Sequence, residues 1–401
     1  MYFPDYEATN DSLAYQNDTY ENILNGFTTE CGVYFTYFLN LLGAYYLPVI
    51  IVFGLVGNML SCVVFLSTHL KMRSSSYYLA ALAVTDFGYL SILLVNYLNY
   101  ISAMDLYNRE GWCQVFVYIS GVCSTLSTWL IVAFTVERFI AVQYPLQRPY
   151  MCTVSRAKLI LTVLSLVALL SQLYLFWTAG IVKQREALYY VYYGCDMRPE
   201  YKEFMKIVNF IDTITTLVVP LILIVTMNTM ISRNLLVFKK RFRRDSSGEG
   251  LAIQRIDTQS TSLGRPSSQC SVQTKQSSIH KRRDTQSPVE QNASLLYIPS
   301  LKRIVSTNSQ QNVTKVLLLI STIFICLNLP SYFIRLYFYA LNVLEKEVPT
   351  EIYCVQQFTM MLFYTNFSVN FVLYAMYGIT FRNCLKQLIW NLLRRNCCRF
   401  K

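Results

Sequence analysis

Seven apolar stretches decide what this chain of 401 residues can fold into. They fall at about residues 44–66, 77–99, 114–142, 157–178, 207–238, 316–341 and 355–377. Each reaches the roughly 20 consecutive, mostly apolar residues that one helix needs to cross a bilayer core. Composition agrees: 54% of residues are hydrophobic and only 14% charged, against roughly a quarter charged in soluble domains. The expected fold is therefore an all-α membrane protein, a seven-helix bundle.

An eighth segment, "FRNCLKQLIWNLLRR" from Phe381, is too short and too basic to span. Its Leu385, Leu388, Ile389, Leu392 and Leu393 recur at helical spacing, so it is expected to lie on the membrane surface as a short amphipathic helix.

The net charge of +12 raises the question of nucleic acid. The basic residues, however, cluster at particular ends of the apolar segments and in one linker, with no base-stacking module beside them. Membrane orientation explains them better, because Lys and Arg gather on the cytoplasmic side. Residues 1–44 contain no Lys or Arg, whereas the first loop has Lys71 and Arg73 and the third has Arg148, Arg156 and Lys158. The fifth carries "KKRFRR" from Lys239, and the tail ends "LLRRNCCRFK". The N-terminus is thus expected outside and the tail inside, in a multi-pass plasma-membrane protein. The acidic start lacks a secretory signal pattern, so the first span is expected to act as its own anchor.

The expected divisions are an external segment at 1–43, five spans with loops at 44–240 and a disordered cytoplasmic loop at 241–311. Two further spans at 312–379 and the surface helix with tail at 380–401 complete the chain. The 241–311 stretch is rich in Ser, Thr and Gln without a helical period. Arg precedes Ser246, Thr285 and Ser306 by three residues, a kinase-site pattern for which linker composition is the simpler explanation. The sequons at Asn10 and Asn17 fall in the external segment, where glycosylation is expected.

Polar residues inside the spans narrow the chemistry. Asn58 lies in the first, Asp86 near the middle of the second, and Ser127 in the third, which ends in Glu137-Arg138. Asn366, Asn370 and Tyr374 share one face of the seventh. An intramembrane carboxylate must be neutralised, hydrogen-bonded or paired. Asp86, Ser127, Asn366 and Asn370 are therefore expected to form a cluster able to hold sodium or water. The competing structural role is interhelical glue, worth about 0.6 to 2 kcal/mol per hydrogen bond. With two His and no ligand quartet, zinc is not expected.

Taken in order, Gly57-Asn58, Leu82-Ala83 with Asp86, Cys113, Glu137-Arg138-Phe139, Pro145-Leu146, Pro220, Phe324 with Pro330, and Asn370 with Tyr374 resemble a rhodopsin-like (class A) G-protein-coupled receptor. The resemblance covers residues 44 to 395. It implies that Glu137 holds Arg138 at rest. Outward movement of the sixth helix then turns Arg138 toward a heterotrimeric G protein, with Phe139, Pro145, Leu146, Phe324, Asn328, Pro330, Asn370 and Tyr374 in the switch. Arrestin and receptor kinases are implied as further partners, alongside membrane lipid. It also implies a Cys113–Cys195 disulfide and palmitoylation of Cys397 and Cys398. Cys31 and Cys354, both external and otherwise unmatched, are expected to form a second bridge.

Several positions depart from the family pattern. Asn328 replaces the usual tryptophan switch, Phe371 the seventh-span proline and Asn228 a fifth-span tyrosine, while Gln310 offers no acid to Arg138. Asn328 is expected to hydrogen-bond into the Asp86 cluster in place of the missing indole.

For the ligand, Ser120 stands where amine receptors carry aspartate, and Tyr364 where light receptors carry the retinal lysine. Both classes are disfavoured. The expected pocket draws on Asn96, Tyr97, Tyr100, Ser120, Gln172, Tyr332, Arg335, Gln357 and Phe358. Arg335 is expected to face an acidic or carbonyl group, and the loop "KQREALYYVYYGCDMRPEYKE" to form a hairpin. These broad hydrogen-bonding surfaces favour a peptide ligand over a non-peptide small molecule. "RSSSYYLAALAVTD" and "CLNLPSY" are similar to invertebrate neuropeptide receptors, the CNMamide receptor group among them. A transporter is the main rival class, but internal repeats and broken helices around a midplane site are not apparent. No nucleophile–base pair stands out, so an enzyme is not expected.

Overall fold

The computed structural model describes residues 32–101, 104, 106–186, 190–234, 236–237, 291–344, 346 and 349–397. Its helices are α1 (Val33–Ser67), α2 (Ser74–Tyr100), α3 (Trp112–Gln143), α4 (Val154–Thr178) and α5 (Pro199–Asn234). They continue with α6 (Gln291–Val343), α7 (Thr350–Tyr377) and α8 (Ile379–Cys397). Between α4 and α5, β1 (Ala179–Glu186) pairs antiparallel with β2 (Tyr190–Met197), with Ile181 opposite Cys195. This is the hairpin expected from the loop sequence.

Six helices, α1 to α6, are long and apolar enough to cross a membrane. α7 has the length, at 28 residues, but its polar residues dilute the apolar run. Those residues point inward: Thr359, Asn366, Ser368 and Asn370 are all buried. The helix is thus placed against the bundle by patterning rather than by bulk hydropathy.

Two boundaries differ from the sequence expectation. α1 starts at Val33 rather than near 44, and includes a π-helical turn at Leu42–Tyr46. The Tyr46 hydroxyl meets Thr365 Oγ1 at 2.7 Å, tying this extension to α7. α6 starts at Gln291, inside the stretch expected as linker up to 311. Hydropathy marks only lipid-length apolar runs, whereas a helix can continue through polar sequence. The chain divides here into two units, one holding the bundle and the other Ser232–Gln311.

In the bundle, α1 packs on α2 and α7, and α2 on α3 and α4. Ile51, Leu90, Leu93, Leu217, Tyr332, Phe363 and Phe367 form the core, with Tyr89 stacked on Phe367 at 3.9 Å between centroids.

α7 runs as one helix through Phe371, where the family pattern has proline. α1 takes up the extra bulk. A Cβ on Gly57 would stand 2.7 Å from the Phe371 Cβ, so the glycine makes room for the ring. Asn58 Nδ2 donates to Phe367 O at 2.8 Å, and Ser368 Oγ to Ile50 O at 2.9 Å, locking the two helices together. Gly57→Ala is therefore expected to cost about 1 to 3 kcal/mol by overpacking. Thermal unfolding of the purified protein checks this, and Phe371→Ala on the same background should recover little of the loss, because alanine keeps the Cβ that the added methyl meets.

Candidate functional site

At the inner end of α3, Arg138 Nη2 donates to Glu137 Oε1 at 2.6 Å. The same oxygen accepts from Ser74 Oγ at 2.7 Å, where α2 begins. Ser74 also reaches Cys152 O at 3.1 Å, and Cys152 Sγ lies 3.7 Å from the Glu137 carbonyl. Ser74, the first residue of α2, thus holds the carboxylate, and Cys152, before α4, braces Ser74 and the Glu137 backbone. Both charged side chains are buried, at 6% and 7% exposure. Glu137 Oε2 and Arg138 Nε have no hydrogen-bond partner, and the guanidinium lies 5.6 Å over the Phe134 ring. Two charges sit in a nearly dry site with bonding capacity unused, an arrangement that a new partner can reorganise. Phe139 packs edge-on to Tyr144 at 6.3 Å, while Leu146, after Pro145, is 89% exposed.

Midway through the bundle, Asp86 is fully buried. Its Oδ1 accepts from Ser127 Oγ at 2.8 Å and its Oδ2 from Asn370 Nδ2 at 2.7 Å. Asn366, one turn away on α7, is buried without a direct bond to Asp86. Tyr374 is buried against Phe65 and Phe381 with its hydroxyl unpartnered.

Asn328 does not join this cluster, a correction to the sequence expectation. Its Nδ2 donates to Phe324 O at 2.7 Å, one turn back on its own helix. A short amide that reaches its own backbone needs no partner across the bundle. Phe324 and Asn328 are both buried and Pro330 half-buried. Asn228 finds a cross-helix role instead, donating to Ser321 Oγ at 2.6 Å and joining α5 to α6.

Toward the end of the bundle that carries the hairpin, the Arg335 guanidinium lies 5.3 Å above the Tyr332 ring and 5.7 Å above Phe363. Tyr89 and Tyr364 pack on Phe363 in turn, at 5.9 and 6.1 Å between ring centroids. Gln172 sits where α4 breaks into a turn after Ser171, and its Nε2 donates to Thr125 Oγ1 at 3.1 Å. Asp212 on α5 is half-buried. The sequence reading passed over Asp212, although it is the sole acidic residue between 207 and 237.

Tyr332 and Arg335 therefore lie together, and Tyr97 packs against the cluster that holds Tyr332. Ser120 bonds back to Val117 O at 2.8 Å. Asn96 and Gln357 are exposed, and Phe358 lies 6.2 Å from Phe38. Tyr97 packs on the core, 6.5 Å from Tyr100 between centroids. Three positions beyond Asn96, Asn99 is the buried amide of α2. Outside the spans, Tyr107 stacks on Phe116, and burial together with the nearby Tyr364 and Asp196 pushes its phenol up to about 12.

Cys113 and Cys195 are bonded, with Cα atoms 5.5 Å apart, fixing β2 to the start of α3. Cys354 is also disulfide-bonded. Its expected partner Cys31 lies outside the described residues, as do Asn10, Asn17, Cys398 and the side chain of Cys397.

Helices that turn polar groups inward, a disulfide-tethered hairpin at one end and a buried ion pair at the other define a multi-pass membrane protein. The chain belongs to the rhodopsin family of seven-transmembrane receptors, whose family model matches residues 57–374. Membership makes it a receptor rather than an enzyme. It is similar to the thyrotropin-releasing hormone receptor of Gallus gallus, 34% identical over 109 residues, which are 27% of this chain and 27% of the relative. It is also similar to growth hormone secretagogue receptor type 1 of Sus scrofa, 28% identical over 137 residues, 32% of this chain and 36% of the relative. Proteinase-activated receptor 1 of Xenopus laevis is 29% identical over 133 residues, 32% of this chain and 31% of the relative. In each case the match spans only about a quarter to a third of the relative's length.

Proposed function

We propose that this receptor binds an extracellular peptide and activates a heterotrimeric G protein from the plasma membrane, with its N-terminus outside. The observation that carries the reading is the Glu137–Arg138 contact, closed within one helix and held by Ser74. Gln310 offers α6 no acid with which to retain Arg138. Outward displacement of α6 then opens space beside a guanidinium that exchanges Glu137 for the partner. This is a bistable packing, biased by ligand on one side and by G protein on the other. Arrestin and receptor kinases would engage the same inner face and the linker, and α8 would rest on lipid. Two of the relatives are named as receptors for hormones or secretagogues, which supports the ligand class together with the grouping of Arg335, Tyr332 and Phe363.

Asp86, with Ser127, Asn366 and Asn370, supplies the oxygen-rich, fully buried donor set that suits a sodium ion, a hard cation. Sodium there would favour the resting packing.

A neuropeptide-library screen in cells carrying a promiscuous G-protein reporter tests the reading. One or more peptides should drive nucleotide exchange without ion or solute flux. Raising sodium should weaken the active peptide about 5-fold or more in the parent, and not in Asp86→Asn. Flux without exchange would overturn the receptor mechanism, and sodium dependence surviving in Asp86→Asn would remove the ion from this site.

A further inference from the structure

α1 grips α7 at successive levels, and the grip continues onto α8. The first tie is the Tyr46 hydroxyl, 2.7 Å from Thr365 Oγ1. Backbone carbonyls of both helices take part next, Ile50 O accepting from Ser368 Oγ and Phe367 O from Asn58 Nδ2. Two glycines of α1 let the helices touch there. A Cβ on Gly54 would stand 2.9 Å from the Ser368 Cβ, and one on Gly57 would stand 2.7 Å from that of Phe371. Phe53 meets the Phe371 ring edge-on, at 6.1 Å between centroids.

Toward the end of α1, Phe65 lies 5.3 Å from both Tyr374 and Phe381, and those two rings lie 5.5 Å apart. All three are buried. Beyond them, Cys384 Sγ of α8 lies 3.8 Å from Nδ1 of His69, in the tight turn that follows α1. Gly378 makes the corner between α7 and α8, where a Cβ would stand 2.6 Å from Tyr374 O and 3.1 Å from the Phe381 Cβ.

From Thr365 to Tyr374 these ties cover about 14 Å of α7, at the helical rise of about 1.5 Å per residue. Sliding α7 along α1 would break them together. It would strip Asn58 Nδ2 and Ser368 Oγ of their acceptors, a cost borne in full when the groups are buried. It would also lift Phe371 out of the notch at Gly57. The Tyr374 hydroxyl is buried without a partner. Such a group either waits for a partner that α7 meets by moving, or is surplus to a ring that packs. The ties on either side of it favour the second.

We propose that α1, α7 and α8 form one rigid unit that keeps its packing when the receptor switches, and that Tyr374 serves this unit through its ring alone. The rearrangement beside Arg138 is thereby confined to the other helices. Tyr374, a switch residue by resemblance, is here a packing residue.

This inference rests on the G-protein reading. Its test follows the whole receptor in two ways. Ketone-bearing residues replace Val49 and Met376, both exposed, and carry spin labels that leave the cysteines unmodified. Their separation is measured by pulsed electron resonance at rest, and again with an active library peptide and nucleotide-free G protein bound. The two values should agree to within about 2 Å, well short of the about 5 Å step of a one-turn ratchet. In parallel, Tyr374→Phe should keep peptide-driven exchange within about 2-fold of the parent, the scatter of a substitution that removes no bond. Tyr374→Ala should unfold at clearly lower temperature, because it leaves a cavity between Phe65 and Phe381.

A larger change in label separation would overturn the inference while leaving the receptor reading standing. So would a larger loss of exchange in Tyr374→Phe at unchanged surface expression. A parent receptor that drives no exchange with any peptide would instead remove the G-protein reading and this inference with it.

Discussion

Arg138→Gln is expected to reach the cell surface and yet lose agonist-driven nucleotide exchange by at least about 100-fold. The substitution keeps bulk and hydrogen-bonding capacity but removes the charge. Breaking a buried, hydrogen-bonded ion pair by deleting one member costs about 3 to 5 kcal/mol, because the remaining charge is left uncompensated. Here that remaining charge is Glu137, 6% exposed and still held by Ser74. Part of the cost therefore falls on the resting state, and the rest removes the group that the G protein would meet. Glu137→Gln makes the opposite prediction. It frees Arg138 from its 2.6 Å contact and should raise exchange without agonist. Exchange and surface density both unchanged in Arg138→Gln would defeat the proposed mechanism, whatever the ligand turns out to be.

The contrast between these two neighbours shows what spacing along a chain conveys. Glu137 and Arg138 are adjacent, and Asn366, Asn370 and Tyr374 are four apart, so their relation is fixed by helix geometry before any packing is known. Asp86 was legible for a different reason. A carboxylate deep in a span must find donors, and few polar residues were available to supply them. Ser127 and Asn370 do so.

What spacing does not convey is how each helix is rotated against its neighbours, or whether a polar side chain chooses its own backbone. Asn328 looked like a cross-bundle switch, but its amide is satisfied one turn back. Ser120 behaves in the same way. On α2, Asn96 and Asn99 are three positions apart, and only packing decides that Asn99 is the one buried. Ser74 gave no signal as the support of Glu137, since the two are 63 residues apart and meet only when α2 and α3 pack. The compensation of Phe371 by Gly57 likewise needs two helices in contact. Asp212 is the instructive omission. The rule that singled out Asp86, an acid inside an apolar span, applies to it equally.

The outer face carries the second large effect. Cys113 lies where α3 begins, and Cys195 lies in β2, opposite Ile181. Their bond closes a loop of 82 residues that contains most of α3, all of α4 and β1. Cross-linking a loop of that length removes unfolded-state freedom worth about 4 to 5 kcal/mol in the chain-entropy account, and native disulfides typically contribute about 2 to 5 kcal/mol. Beside it stand weaker ties. Cys195 N donates to Asn108 Oδ1 at 3.1 Å, and the Arg198–Glu110 contact at 3.0 Å is exposed, of a type worth little in water. Cys113→Ser should therefore lose most surface expression. Whatever fraction matures should unfold at clearly lower temperature and bind peptide weakly, because the strand beside the pocket is no longer anchored. Cys195→Ser should match it, and the double variant should be no worse than either single one, since the second change removes a bond already lost. Surface density and thermal unfolding of the three variants supply the measurement. An additive double variant would mean that each cysteine contributes separately, through packing rather than through their bond.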